Sequence, residues 1–359
     1  MEGLFRTMVK RGASDLHLCS GSAPMLRIDG EMVTLSAAPV LDPDRIETLV
    51  FSITPERNRK EFGEHHDTDF AHEISGLCRF RCNLFRDRKG PGAVFRAIPS
   101  KILTADDLNL SQEIRNLCFL TKGLVLVTGP TGSGKTTTLT ALIDLLNQQR
   151  TDHVITVEDP IEFVHENKKC LVNQREVSLH TRDFKTALRA ALREDPDIVL
   201  VGEMRDLETV AIAMETAETG HLVFGTLHTS SAVSTVDRLV DQFPADQQGQ
   251  IRVMLSESLE AIIAQVLCRK KGGGRVAALE VLMGIPAVAN LIREGKTFQI
   301  PSIMQTGRKH GMVTLNDSLI SLVNDGVIEP EEAYRKALDK TNLLAGFKTH
   351  KVPVDFLTD

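Results

Sequence analysis

The stretch GPTGSGKTTT, from Gly129 to Thr138, decides the fold of this chain. It matches the phosphate-loop pattern G-x-x-x-x-G-K-[ST] at every defining position. The apolar run GLVLVT (123–128) before it predicts a buried strand, and TTLTALIDLLNQ (137–148) after it predicts a helix with one apolar face. Strand, glycine-rich loop and helix are the context that phosphate binding requires, which favours a functional loop over a chance glycine-rich turn.

The residue types in this loop suit a nucleoside triphosphate and Mg²⁺. Gly132 and Gly134 let backbone N–H groups approach an anion with no Cβ in the way. The N-terminus of the following helix adds unpaired donors and the positive end of its dipole. Lys135 is predicted to meet the β- and γ-phosphates, and the Thr136 hydroxyl to bind Mg²⁺. The predicted nucleotide-binding residues are Gly129, Pro130, Thr131, Gly132, Ser133, Gly134, Lys135, Thr136 and Thr137.

Acidic residues follow the next predicted strand. In HVITVEDPIEF (153–163) an apolar run leads into an acidic turn. Ligands gather at the carboxyl edge of a parallel sheet, so carboxylates placed there suit Mg²⁺ or water handling. The candidates are Glu158, Asp159 and Glu162, and the alternative is an acidic loop in solvent.

A second acidic position follows the buried run DIVLVG (197–202). Glu203 stands directly after this run, where the second acid of a phosphate-loop NTPase belongs. Glu203 would hold Mg²⁺ through water while Glu158 polarises the attacking water. The opposite assignment stays open, because sequence does not fix the distances that decide a general base.

Two histidines bracket the predicted strand in HLVFGTLHTSS (221–231). A single histidine at a strand end is usually structural, but the pair makes His221 and His228 candidate sensors of the phosphate. They are not predicted to bind a metal, since no third ligand stands at suitable spacing. Further candidates for phosphate contact are Thr226, Thr229 and Ser230.

Length and composition predict a soluble two-domain protein. The chain has 359 residues, 42% apolar and 25% charged, with a net charge of −6. The negative charge argues against a protein that coats nucleic acid. No apolar run nears the ~20 residues of a membrane span, and the start lacks a secretory signal, which predicts a cytoplasmic location. The six cysteines show no C-x-x-C pair, so we expect reduced thiols.

The predicted organisation has three parts. Residues 1–100 form a small α+β domain with a hairpin turn at Asp29-Gly30, residues 101–120 form a linker, and residues 121–359 form the α/β core. The C-terminal part of this core is predicted to be helical. Within it, MLSESLEAIIAQVL (254–267) is predicted as a helix with a wide apolar face.

Arginines crowd a predicted hairpin of the first domain. RFRCNLFRD (79–87) and AVFRAI (93–98) alternate as paired strands do. A solvated polar face accounts for most of these arginines, but one or two could stabilise transferring phosphate charge from across an interface. The arginines are Arg79, Arg81, Arg86, Arg88 and Arg96.

Four ordered blocks resemble the motifs of the secretion ATPase superfamily. GPTGSGKTTT, ITVEDPIEF, DPDIVLVGEMRDLET and TGHLVFGTLHTSSAVSTVDRLVDQFP resemble its Walker A, Asp box, Walker B and His box, respectively. RGASDLHLCSG near the start and IPAVANLIREGKTFQIPSIMQTGRKHGMVTLNDSLISLV near the end resemble its type IV pilus twitching-motility (retraction) branch. The resemblance covers nearly the whole chain.

The resemblance implies a homohexameric ATPase motor of two-domain subunits. Each would have a PAS-like N-terminal domain and a RecA-like phosphate-loop NTPase core, with ATP and Mg²⁺ as cofactors. ATP binds between the domains in this family, and its turnover moves them as rigid bodies. Two arginines of the N-terminal hairpin approach the γ-phosphate, and Arg81 and Arg96 match best. The catalytic candidates are Glu158, Glu203, Lys135, His221, His228, Arg81 and Arg96, with Thr136 and Glu203 at the metal.

The same resemblance implies pilus retraction, an inner-membrane platform protein and possible work beside a second retraction ATPase, at the inner face of the cytoplasmic membrane. Assembly ATPases of the family carry a long extra N-terminal region and C-x-x-C zinc pairs, and neither is found here. One departure stands out: AVANLIRE (287–294) has Ala289 where the retraction branch has arginine. An accessory retraction paralogue therefore stays open. A nucleic-acid translocase and a non-hydrolysing subunit are the less favoured alternatives.

Overall fold

The computed structural model describes residues 1–28, 30–98, 101–354 and 356. The chain forms two units, one of residues 1–101 with 162–164 and one of residues 102–161 with 165–359. The predicted turn at Asp29-Gly30 lies partly outside the described residues, since Asp29 is not among them. Gly30 has a φ of 91°, in the region that glycine adopts without a steric penalty.

The first unit has a six-stranded sheet in the order β3-β2-β1-β6-β5-β4, and its described strand pairs are antiparallel. Phe5 of the first helix lies at the core of this unit. The centroid of its ring is 4.1 Å from that of Phe80 and 5.1 Å from that of Phe95. The α+β prediction agrees with these elements, and the PAS-like assignment stays a prediction. The bounds are α1 Glu2–Lys10, β1 Asp15–Cys19, β2 Met25–Ile28, β3 Glu31–Thr34, α2 Pro43–Phe51, α3 Glu56–His65, β4 Asp67–Ile74, β5 Cys78–Asp87 and β6 Gly90–Ile98.

The second unit has a seven-stranded sheet in the order β13-β12-β7-β11-β10-β8-β9. Strands β12 and β13 pair antiparallel, and the other neighbours pair parallel. Its elements are α4 Gln112–Asn116, β7 Gly123–Thr128, α5 Lys135–Gln149, β8 His153–Glu158, β9 Leu171–Glu176, α6 Phe184–Ala191, β10 Ile198–Val201, α7 Leu207–Glu218, β11 Leu222–Leu227, α8 Ala232–Asp241, α9 Gln248–Ser258, β12 Leu259–Arg269, β13 Arg275–Met283, α10 Pro286–Arg293, α11 Ile300–Thr306, α12 Leu315–Asn324, α13 Pro330–Lys336 and α14 Lys340–Thr349, with short 3-10 helices at Leu117–Phe119, Thr297–Gln299 and Gly307–His310.

The central strands of this sheet are buried on both faces. All six residues of β7 and of β11 and all four of β10 are buried, which explains why they appear in the sequence as continuous apolar runs. Helix N-caps fix where the chain turns away from the sheet, as at Asp206 before α7 and Ser231 before α8. The parallel strands bring the loops after β7, β8, β10 and β11 to one edge. That edge is where open α/β sheets bind ligands.

The predicted helix over residues 254–267 is wrong in its second half. Helix α9 ends at Ser258, and the chain continues as the long strand β12 from Leu259. The segment holds the β-branched residues Ile262, Ile263 and Val266, which suit a strand. Strand β12 pairs with β7 on one side and β13 on the other, so its apolar residues fill a sheet interior. A short apolar run has no periodicity that separates these two outcomes.

The segment predicted as a linker packs on the second unit. Ala105, Leu110, Ile114, Leu117 and Cys118 are buried in the same apolar cluster as strand β7. Among the described residues, no helix is long and apolar enough to cross a membrane.

Candidate active site

The phosphate loop joins β7 to α5 through three glycines in the left-handed region. Gly129, Gly132 and Gly134 have φ values of 143°, 78° and 90°. L-residues with a side chain rarely adopt such angles, so the pattern of glycines follows from the backbone path. At Gly129 there is also no space, because a Cβ would lie 2.3 Å from the carbonyl oxygen of Gln265.

The side chain of Lys135 crosses this loop. Its Nζ donates to the carbonyl oxygens of Gly129 at 2.7 Å and Pro130 at 3.2 Å, and the residue is 9% exposed. Ser133 Oγ is buried and has no hydrogen-bond partner among the described residues. A lysine drawn over the loop, an orphaned hydroxyl within it and the N-terminus of α5 together fit an anionic phosphate chain.

A polar chain leads from Lys135 to the second acid. Lys135 Nζ lies 3.4 Å from His228 Nδ1, and His228 Nε2 lies 2.7 Å from Glu203 Oε1. Arg205 Nη2 donates to the other oxygen, Glu203 Oε2, at 2.7 Å. Glu203 is therefore connected to the lysine of the phosphate loop through His228.

The environment of Glu203 keeps it ionised. Partial burial acts to raise its pKa, but the hydrogen bonds and charges of Arg205 and His228 outweigh burial and lower the pKa below the ordinary glutamate value. At neutral pH Glu203 is therefore a carboxylate that accepts hydrogen bonds. This state suits a water-mediated Mg²⁺ ligand or a general base, and it excludes a proton donor.

Glu158 lies at the same sheet edge, one strand further from the loop. Val157 and Val201 are register partners, so Glu158, the last residue of β8, and Glu203, two residues after β10, lie at the same edge of neighbouring strands. Thr156 Oγ1 donates to Glu158 Oε1 at 2.6 Å, and Gln174 Nε2 donates to the same oxygen at 3.0 Å. These two donors fix the carboxylate in an orientation without neutralising its charge.

The two predicted histidines lie at opposite ends of β11. His228 follows the strand at the phosphate edge, whereas His221 precedes it, beside the start of β7. A strand of this length separates the two ends by about 20 Å. His221 Nδ1 is 3.2 Å from the carbonyl oxygen of Thr216, a local structural contact. The placement argues against direct contact of His221 with phosphate on this edge.

The remaining candidates are spread over both units. Thr226 Oγ1 donates to Gly202 O at 2.5 Å, Thr229 Oγ1 lies 2.6 Å from Thr235 Oγ1, and Ser230 is exposed. The hydrogen bonds of Thr226 and Thr229 thus stabilise the loops that carry Glu203 and His228. Asp159 is exposed, and its negative charge acts to raise the pKa of Arg205. Glu162 belongs to the 162–164 segment of the first unit.

Arg81 and Arg96 face each other across the β5–β6 hairpin of the first unit. Arg96 Nε donates to Asp15 Oδ1 at 2.9 Å, and Arg81 Nε is 3.9 Å from Asp69 Oδ1. The Arg96 side chain is 63% exposed although its partner Asp15 is buried. Both guanidinium groups therefore lie on the polar outer face of the hairpin.

Two residues of the site were missed from sequence. Gln265 of β12 contacts the phosphate loop, but the segment was predicted as a helix, which hid the contact. Arg205 lies only two residues after Glu203, and a basic residue so close to a candidate acid was a signal that could have been used.

No cluster of three or more His, Cys, Asp or Glu side chains suited to a metal occurs in the described part of the chain.

A mainly parallel sheet with a phosphate loop after β7 and acids at the end of β8 and after β10 defines a phosphate-loop NTPase. The chain belongs to the Type II/IV secretion system protein family, whose model matches residues 4–310. This confirms the predicted α/β fold class and the resemblance to secretion ATPases.

Several proteins of this family are similar over nearly the full length. The chain is 55% identical over 91% of its length to "Type IV pilus retractation ATPase PilT" of Pseudomonas aeruginosa, covering 95% of that protein. It is 49% identical to "Twitching motility protein" of Neisseria gonorrhoeae, covering 89% of this chain and 86% of the relative. "Type IV pilus ATPase PilU" of Pseudomonas aeruginosa is 39% identical, covering 94% and 88%. A crystal structure of the pilus retraction motor PilT with bound ADP superposes with a TM-score of 0.89, at 46% identity, covering 95% of this chain and 98% of the other.

Proposed function

We propose that this protein is an ATP-hydrolysing motor that drives type IV pilus retraction and twitching motility. The observation that carries the proposal is the connected chain Lys135–His228–Glu203 at the carboxyl edge of the sheet. It joins the group that would bind the outer phosphates to the acid that would serve hydrolysis. The similarity to PilT over nearly the whole length of both proteins supports retraction as the output.

The residues of the loop would bind and orient the nucleotide. The N–H groups around Gly132 and Gly134 would hold the phosphate chain, and Lys135 would exchange its two carbonyl partners for phosphate oxygens. Thr136 and, through water, Glu203 would hold Mg²⁺, which neutralises phosphate charge when bound. Few protein ligands are needed, because Mg²⁺ keeps several waters and takes phosphate oxygens.

Glu203 and Glu158 would share the handling of water. Glu203 lies nearer the loop, so we propose that it acts at the outer phosphate. His228 would couple the position of Lys135 to that of Glu203, because it contacts both side chains. Glu158 would orient or polarise water from one strand further away. Arg205 would compete with Mg²⁺-bound water for Glu203, because its guanidinium contacts both carboxylate oxygens in this structure, Oε2 through Nη2 and Oε1 through Nε.

We expect Arg81→Ala to lower ATP turnover by about 10-fold or more, because an arginine that meets transferring phosphate charge is worth at least that much. Arg81 is partly exposed on the outer face of its sheet, so removal should leave the melting temperature nearly unchanged. Turnover and thermal melting of the purified protein test this together. Arg79→Ala on the same face is the matched control. Wild-type turnover in the Arg81 variant would contradict a catalytic role for this arginine and indicate that the hairpin is only a solvated surface.

The proposed assembly is a homohexamer acting on an inner-membrane pilus platform protein, in the cytoplasm at the inner face of the membrane. A second retraction ATPase is the proposed companion, since PilU is a related protein. Nucleic acid is not a proposed partner, because the net charge is −6.

Deletion of the gene in its own organism tests the biological output. We expect cells with more surface pili and no twitching, because extension would continue without retraction. Electron microscopy of pili and a stab assay for twitching measure the two. Loss of pili would contradict retraction and indicate assembly.

The accessory role remains the second candidate because of Ala289. The residue lies half-buried on α10, whose Val288, Leu291 and Ile292 pack into the core. An accessory motor predicts a deletion strain that still retracts its pili, with reduced force or frequency. The same piliation count therefore separates the two candidates.

A further inference from the structure

The side chain of Gln265 links the end of the phosphate loop to the helix that follows it. Its Nε2 donates to the carbonyl oxygen of Ser133 at 2.7 Å, and its Oε1 accepts from Thr138 Oγ1 at 2.9 Å. Gln265 is 1% exposed, so both hydrogen bonds are made in a water-poor interior, where leaving either group unpaired is costly. One amide thus connects the last turn of the loop to the first turn of α5.

The backbone of Gln265 supports the start of the same loop. Ala264 and Thr128 are register partners, which places the next residue of each strand, Gln265 and Gly129, side by side. The contact is so close that a Cβ on Gly129 would lie 2.3 Å from Gln265 O. A Cβ on Gly134 would lie 3.1 Å from Gln265 Nε2. Strand β12 therefore contacts the loop at its beginning and at its end.

These contacts fix the orientation of one peptide group. In a trans peptide the C=O and the following N–H point in opposite directions. Because the carbonyl of Ser133 points to Gln265, the N–H of Gly134 points away from β12. This N–H belongs to the group of donors that a phosphate loop offers to its anion. Rotation of the peptide would break the bond to Gln265.

We infer that Gln265 is a positioning residue for nucleotide binding, which holds the Ser133–Gly134 peptide and the start of α5 in the geometry that receives the phosphates. The inference rests on the proposed function as an ATPase. It predicts a loss of nucleotide affinity from a residue that does not itself contact the nucleotide, because a preorganised loop spends less free energy on ordering when it binds.

Gln265→Leu tests the role by removing both hydrogen bonds at similar side-chain volume. We expect the affinity for ADP to fall about tenfold, as for loss of a buried hydrogen bond, and KM for ATP to rise with little change in kcat. The ADP-induced rise in melting temperature should shrink as well. Fluorescent ADP titration, steady-state turnover and thermal melting with and without ADP measure these.

Asn147→Leu is the matched control. Like Gln265, Asn147 has a fully buried side-chain amide. It lies on α5 and makes hydrogen bonds to the backbone of Glu166 and Lys168. It lies about 18 Å along the helix from Lys135. We expect this variant to melt at a lower temperature but to keep the ADP-induced shift of the wild type. A purely structural role for Gln265 predicts the same pattern in both variants, and that result would overturn the inference.

Gln265→Met covers the case in which the leucine variant does not fold. Methionine is unbranched like glutamine and fills a similar space, but it has no N–H to donate to Ser133 O, so ADP affinity should fall here too. Wild-type ADP affinity in this variant would overturn the positioning role. Absence of ADP binding to the wild-type protein is a different outcome, because it would refute the proposed function itself.

Discussion

Lys135→Ala is expected to abolish measurable ATP turnover and to weaken ADP binding by about 100-fold or more. The Nζ group already makes two hydrogen bonds to loop carbonyls and would transfer them to phosphate oxygens. Hydrogen bonds to charged groups contribute about 1.5–3 kcal/mol each, so loss of two gives an effect of this size. Fluorescent ADP titration and phosphate release measure the two quantities.

Lys168→Ala is the control for this variant. Lys168 also belongs to the second unit. Its side chain pairs with Asp144 of α5, the helix that begins at Lys135, but at a position away from the loop. The Lys168 variant should bind ADP as the wild type does. ADP binding within a few-fold of wild type in the Lys135 variant would show that the phosphates lie elsewhere. A similar melting temperature for both variants excludes unfolding as the cause.

Glu203→Gln is expected to retain ADP binding and to lose turnover by about 10²- to 10⁴-fold, the range for a general acid–base group. The substitution keeps the shape of the side chain but removes the charge that would hold Mg²⁺-bound water or accept a proton. The lowered pKa of Glu203 means that this charge is present across the neutral pH range. Phosphate release at saturating ATP measures the loss.

Two comparisons make this result specific. Glu158→Gln should also reduce turnover while binding is kept, and the larger of the two losses identifies the general base. Glu208→Gln removes an exposed carboxylate of α7 that pairs with Lys185, and it should behave as the wild type. Near wild-type turnover in both the Glu203 and Glu158 variants would contradict the assignment of the catalytic acids.

The pKa of Glu203 also sets a pH dependence. A carboxyl group whose pKa is lower in the folded state stabilises the fold at pH values above its unfolded pKa. This contribution is lost as the pH falls through the folded-state pKa. The ion pair with Arg205 therefore weakens only in acid, and it persists at neutral pH.

The parts of the site that sequence predicted share one property, which is that each lies within a short segment. The phosphate loop, Glu158 and Glu203 each directly follow an apolar run, and the carboxyl ends of such runs meet at one sheet edge. His221 was grouped with His228 because both flank one strand. The same rule places His221, which precedes β11, at the opposite edge from His228, so the sequence already contained the signal that separates the two histidines.

The sequence by itself determined the nucleotide-binding loop, the parallel α/β core and the order of its acids, because glycine placement and buried strands are local properties. Only the tertiary structure decided that residues 259–269 form a strand and that Gln265 contacts the loop. It also decided that Lys135, His228 and Glu203 form one connected chain. These contacts join residues far apart in the chain, and their formation depends on strand register, which the pattern of side chains in any single segment does not contain.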